Sequence, residues 1–199
     1  MTPIQTLGFL LGASFAAGLN LYATVAALGL LHRYEVLRLP GSLEVLAHPV
    51  VLGVAITLYV IEFVADKIPY VDNLWDVVHT FIRPPAAAVL AFAALADVPG
   101  AWRLAAAMLA GSVALTSHGT KASARAAVNA SPEPISNWTF SLGEDGIALA
   151  LVWMAINHPV LTLVIVLLLL ALSIYLLVKL LGLFLRLCRR VLRRASPAR

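Results

Sequence analysis

The chain has 199 residues, 61% of them hydrophobic and only 12% charged, with a mean hydropathy of +0.93. A soluble domain is typically about 45–50% apolar and about 25% charged, so this composition excludes one and describes an integral membrane protein. The formal charge of +4 sits mostly at the C-terminus, where it concerns topology and anionic lipid headgroups, and no nucleic-acid partner is expected.

At about 20 residues per span, the length suits a single all-α membrane domain of about six helices, residues 1–178, followed by a basic amphipathic tail, residues 179–199. The abundance of Ala, Leu, Val and Gly favours helices packed through small residues over a barrel of alternating strands. Cys188 is the single cysteine, which excludes an internal disulfide and a zinc cluster.

The N-terminal run has no basic flank and stays apolar to Leu31, longer than a signal-peptide core, so it reads as a retained helix over 6–31. Gly18, Asn20 and Tyr22 interrupt it. A loop over 32–48 turns at Pro40-Gly41, and Pro49 opens a second helix that reaches Asp66. The stretch EFVADKIPYVDNLWDVVHTFIRPP, residues 62–85, is polar in apolar surroundings. Glu62 and Asp66 stand one helical turn apart on one face. Acids at the end of a span must face protein, water or a cation. Two readings stay open: the pair marks where the helix leaves the bilayer, or it belongs to a polar site roofed by a partly buried loop over 67–83.

Pro84-Pro85 is expected to open a third helix, ending at Asp97. Its apolar part has only about 13 residues and spans about 20 Å, so part of 77–83 must be helical or neighbours must shield it. After a tight turn at Val98-Pro99-Gly100, a fourth helix loses its apolar character at Thr116–Thr120 and continues amphipathically through Lys121 and Arg125. Residues 129–145 form a second polar island, which contains Glu144 and Asp145. Two readings of Glu144-Asp145 stay open: an acidic site, or acids at a helix N-terminus that suit its dipole. A fifth helix covers 146–157, and His158-Pro159 turns into a long Leu-rich sixth that ends near Val178. Beyond it, Lys179, Arg186, Arg189, Arg190, Arg193 and Arg194 punctuate a Leu-rich helix, as expected of a cytoplasmic end facing lipid headgroups. With six spans, both termini and both polar islands are cytoplasmic. For the tail, the sequence favours a bend onto the bilayer surface and leaves homo-oligomerisation open.

Two internal echoes are present. Trp75 and Trp138 each follow a proline by six residues, Pro69 and Pro132, and the acidic pair at the end of helix 2 mirrors Lys121 and Arg125 at the end of helix 4. The break at Gly18/Asn20 also matches Ser117/His118/Gly119, which suggests inverted halves with breaks at corresponding positions, a pointer to a transporter site. At most one of these is the true repeat.

No P-loop, dinucleotide fingerprint, HExxH or GxSxG occurs, no cofactor is expected, and no nucleophile–base spacing supports a membrane enzyme. Whether a metal binds is left open. The strings GLNLYATVAALGLL (18–31) and EFVADKIPYVDNLWDVVHTFIRPPAAA (62–88), with Asp66-Lys67-Ile68-Pro69, Asp72, Trp75 and Arg83-Pro84, resemble the family of small, mainly bacterial integral-membrane proteins named for the domain of unknown function DUF4126. The resemblance implies a membrane class, with a bacterial inner-membrane location, and no activity. From the residues themselves, the leading expectation is a transporter or channel-like protein for a cation or small polar solute. Glu62, Asp66 and Asp72 would bind it, and Asn20, Tyr22 and His118 would line the path. The alternative is a membrane scaffold or assembly factor in which Glu62 and Asp66 pair structurally with Lys121 and Arg125, while the loops and tail bind a partner or anionic lipid.

Overall fold

The computed structural model describes residues 1–129 and 134–195, and among them there are helices and no strands. Proline opens most of the helices. It sits in the first turn of α1 (Pro3–Leu19), α3 (Pro49–Ala65) and α4 (Pro69–Ala94), and it is the first residue of α6 (Pro134–Asn157) and α7 (Pro159–Ala195). A proline there gives up an N–H that has no intrahelical acceptor, and its fixed φ already suits the helix. Thr2 adds a capping box with Gln5 before α1.

α1 is the axis of the molecule. Every residue from Gly8 to Leu19 is buried, and the helix packs against α4, α5, α6 and α7. At 17 residues it is about 26 Å long at 1.5 Å per residue. The expected interruption is real: Asn20 is extended (φ −147°, ψ 102°), and the chain restarts as α2 (Leu21–Arg33). α2 packs on α3, on α6 and on a 3₁₀ helix, Gly41–Ala47. Gly41 has φ 60°, and a Cβ there would strike the carbonyl oxygens of Ala93 and Ala94, so only glycine lets this turn lie against the end of α4.

The expected start of a helix at Pro84-Pro85 is overturned. Both prolines lie inside α4, and the segment expected to be a loop, 67–83, is helical from Pro69 onward. A continuous inner face explains this. Asp72, Asp76, His79, Arg83, Ala87, Ala91 and Ala94 are all buried at helical spacing, and α4 and α5 (Gly100–Asn129) pack closely along their lengths. That packing outweighs an interior-proline penalty of about 3 kcal/mol. The second island is corrected in the same way, because α6 begins at Pro134 and Glu144 and Asp145 lie well inside it.

Among the described residues, three helices are long and apolar enough to cross a bilayer: Tyr70–Ala94, Trp138–Asn157 and Pro159–Leu183. A fourth span results if Gly41–Ala47 and Pro49–Ala65, bent by 70°, count as one. The breaks expected to correspond in two halves are unlike. α1 and α2 part at Asn20, whereas α5 runs through Ser117, His118 and Gly119 unbroken. Pro132, part of the other echo, lies outside the described residues. α7 passes the end of the sixth predicted span without a break in the helix, with Lys179 and Arg186 exposed. The side chains of Arg189, Arg190, Arg193 and Arg194 lie outside the described residues.

Candidate functional site

The inner faces of five elements converge on one polar cluster. α3 brings Glu62, with Asp66 at its C-cap. α4 brings Asp72, Asp76, His79 and Arg83; α5 brings His118, Lys121 and Arg125; α6 brings Glu144 and Asp145. The α1–α2 break supplies Asn20 and bare backbone. All of these side chains are buried. Among the described residues, three buried cations therefore meet six buried carboxylates, a formal excess of three negative charges before Lys67 at the rim is counted.

The cations are tightly held. Arg83 donates from Nη2 to Glu62 Oε1 at 2.6 Å, and from Nη1 to the Gly18 carbonyl at 2.9 Å and to His118 Nδ1 at 2.8 Å. Lys121 Nζ donates to the Leu19 carbonyl at 3.1 Å and to Asp66 Oδ2 at 3.3 Å, and lies 3.5 Å from Glu62 and 3.6 Å from Glu144. Arg125 donates twice to Glu144 Oε2, from Nε at 3.0 Å and Nη2 at 2.8 Å, and also to the carboxylate and carbonyl of Asp66, each at 3.1 Å. Arg83 and Lys121 thus satisfy carbonyls that the end of α1 leaves without partners, where the helix dipole also favours positive charge.

Asn20 bridges the break. Its Oδ1 accepts from the Ala23 amide at 2.9 Å, which caps α2, while its Nδ2 donates to Asp145 Oδ1 at 2.8 Å. Tyr59 donates to the other oxygen of Asp145 at 3.4 Å. Tyr59 also lines an apolar cavity of about 400 Å³ between α2, α3 and α6, so this hydroxyl stands between the cavity and the acid. Tyr22, half-buried, lies 3.0 Å from His79 Nε2, and His79 stacks on Trp75 with ring centroids 4.6 Å apart.

His118 is placed by chemistry that its sequence position does not reveal. Because Nδ1 accepts from Arg83, the ring hydrogen must be on Nε2, which faces the Asp76 carbonyl at 3.0 Å and the Thr80 hydroxyl at 3.0 Å. His118 is therefore a neutral spacer that aims Arg83. Lys67, in the turn after α3, stands at the rim. Its Nζ donates to the Phe63 carbonyl at 2.8 Å and sits 3.1 Å from the Phe63 ring centroid. Desolvation lowers the pKa of this ammonium, against the opposing pull of Asp145 and Asp66.

The family model for Domain of unknown function (DUF4126) matches residues 7–179. The chain belongs to the DUF4126 family. No curated protein and no solved structure matches it. The region shared with DUF4126 includes every residue of the cluster and stops at Lys179, where the basic tail begins.

Of the residues expected to bind or line the path, Glu62, Asp66, Asn20, Asp72 and His118 are buried in this cluster, Asp72 beside Arg125 and Asn129, and Tyr22 reaches its edge through His79. Asp76 and Arg83 are not singled out for the site by the sequence, and Glu144-Asp145 reads there as a separate acidic site or as acids suited to a helix dipole. Asp72, Asp76, His79 and Arg83 follow an i, i+4, i+7, i+11 stripe that would have exposed two of them. Reading Pro84-Pro85 as a helix start hid that stripe.

Proposed function

We propose that this protein is a small transporter or channel-like protein for a cation or small polar solute, with the buried acidic cluster as its transit site. One observation carries the reading: six buried carboxylates face three buried cations among the described residues. Uncompensated charge inside a membrane protein is costly, and it marks ion pathways and proton relays by default. The α1–α2 break adds a discontinuous helix beside the acids, the arrangement that secondary transporters use to expose backbone to an ion. Under this reading the protein lies in the bacterial inner membrane with both termini cytoplasmic, and its tail contacts anionic lipid headgroups.

Flux into proteoliposomes tests the proposal, with proton- and cation-sensitive dyes as the readout. Glu62→Gln and Asp66→Asn should lower flux in protein that remains folded. Unchanged flux in both variants, or none in the wild type, sinks it.

A second reading is a non-transporting scaffold, favoured by how fully Arg83, Lys121 and Arg125 are engaged with carboxylates. It expects Glu62→Gln and Asp66→Asn to lower thermal stability in a wild-type protein that shows no flux under any gradient.

A further inference from the structure

The excess of negative charge has a specific place to reside. Glu62, Asp66 and Glu144 each lie within 3.6 Å of a cation, and Asp72 lies 3.7 Å from Arg125 and accepts from Asn129 at 2.7 Å. Asp145 is held by Asn20 and Tyr59. Asp76 differs from all of these. It is 3% exposed, and neither of its carboxylate oxygens has a hydrogen-bond partner. It lies in the field of Lys121 from α5, of Asp66 from α3 and of Glu144 from α6, with Arg83 and Asp72 on its own helix, while His118 from α5 faces its backbone carbonyl. None of these donates a hydrogen bond to its carboxylate.

An ionised carboxylate that is buried without a hydrogen-bond donor carries a large desolvation cost, whereas a neutral carboxylic acid avoids most of it. Among the described residues no three His, Cys, Asp or Glu side chains converge to hold a metal ion. A proton needs no coordination shell and forms one O–H bond with a single carboxylate oxygen. His118 is not an alternative acceptor, because Arg83 already occupies its Nδ1.

We infer that Asp76 is a proton-binding residue that is a neutral carboxylic acid in the resting protein. This names the ion of the site proposed above. Exchange of that proton across the membrane rests on the transport reading, while the presence of the proton does not.

Infrared spectra of the purified protein in a detergent without ester groups test the inference, read through the carboxylic-acid carbonyl stretch at neutral pH. The wild type should show such a band. Asp76→Asn should lose a component of it, Asp97→Asn, at an exposed acid, should not, and Asp76→Glu should shift it. A wild-type spectrum without the band, or a band unchanged in all three variants, overturns the inference. If Asp76→Asn does not fold, the shift or its absence in Asp76→Glu decides. An Asp76 band in a protein without flux removes transport and keeps the proton. Flux without the band keeps transport and removes the proton from Asp76.

Discussion

Arg125 is the residue at which one substitution should do most damage. It bonds Asp66 and Glu144 and stands 3.7 Å from Asp72, so its loss leaves several buried acids short of a cation. Removing one partner from a buried ion pair typically costs about 3–5 kcal/mol. Arg125→Ala should destabilise by at least that order, measured by thermal unfolding in detergent. Arg125→Lys should recover only part of it, because a point charge cannot reproduce the fork. An isolated pair would survive exchange of its two charges. Here Asp66→Arg with Arg125→Asp should remain unstable, since the new acid would face Asp72 and Glu144. A full rescue would show that Arg125 and Asp66 act as a closed pair. Gly18 is a second sensitive point. A Cβ there would meet Ser117 Oγ and the Ala114 carbonyl oxygen, while one at Gly53 would meet nothing within 4 Å. Gly18→Ala should cost about 1–3 kcal/mol by overpacking, and Gly53→Ala should leave the melting temperature unchanged or raise it.

At the scale of elements, the α1–α2 break depends on one side chain. Asn20 caps α2 and holds Asp145, so Asn20→Ala removes a cap worth about 1 kcal/mol and a hydrogen bond to a carboxylate worth about 1.5–3 kcal/mol. Asn20→Ser keeps a cap but cannot reach as far, and its stability in thermal unfolding should lie between wild type and Asn20→Ala. Asn20→Asp keeps the cap while setting a second carboxylate against Asp145, and should be the worst of the three. An Asn20→Asp protein as stable as Asn20→Ser would mean that the facing pair of carboxyls holds a proton. α4 makes a complementary point. Its stripe from Asp72 to Ala94 is helical in spacing, yet Pro84 and Pro85 interrupt the local signal, and the buried face decides the outcome.

At the scale of the molecule, the open questions are orientation and the tail. Cys188 is the single cysteine and lies in the basic segment, so it serves as a native reporter. With the C-terminus cytoplasmic, a membrane-impermeant maleimide should label it in inverted vesicles and not in intact cells stripped of outer membrane. Labelling in the cells and not in the vesicles would reverse the topology. α7 runs on as helix past Lys179, where the family match ends. Deleting residues 186–199 should leave melting temperature and oligomeric state unchanged and weaken co-sedimentation with anionic vesicles, an effect that salt reduces. A truncated protein with a new oligomeric state would make the tail an assembly element.

Composition alone pointed to helices suited to a membrane, because so few charges and so much apolar surface do not suit a soluble domain, and the described residues are helical with spans long and apolar enough to cross a bilayer. Local chemistry determined several boundaries as well: Pro49 starts α3, Asn20 breaks the first helix, and Val98-Pro99-Gly100 turns α4 into α5. Glu62 and Asp66 stood out because acids are rare in such a sequence. Only the tertiary structure decided what they face. The sequence offers Lys121 and Arg125 as partners, but Arg83 on α4 and Glu144 on α6 join the same cluster, and no spacing within one helix records that meeting. The same holds for Pro84-Pro85 and for Glu144-Asp145, each of which reads locally as the approach to a helix. Burial against α5 and α1 made the first pair interior to α4, and the reach of Arg125 and Asn20 drew the second into the site. Long-range packing and ion pairing settled these positions, and neither is encoded in a local pattern.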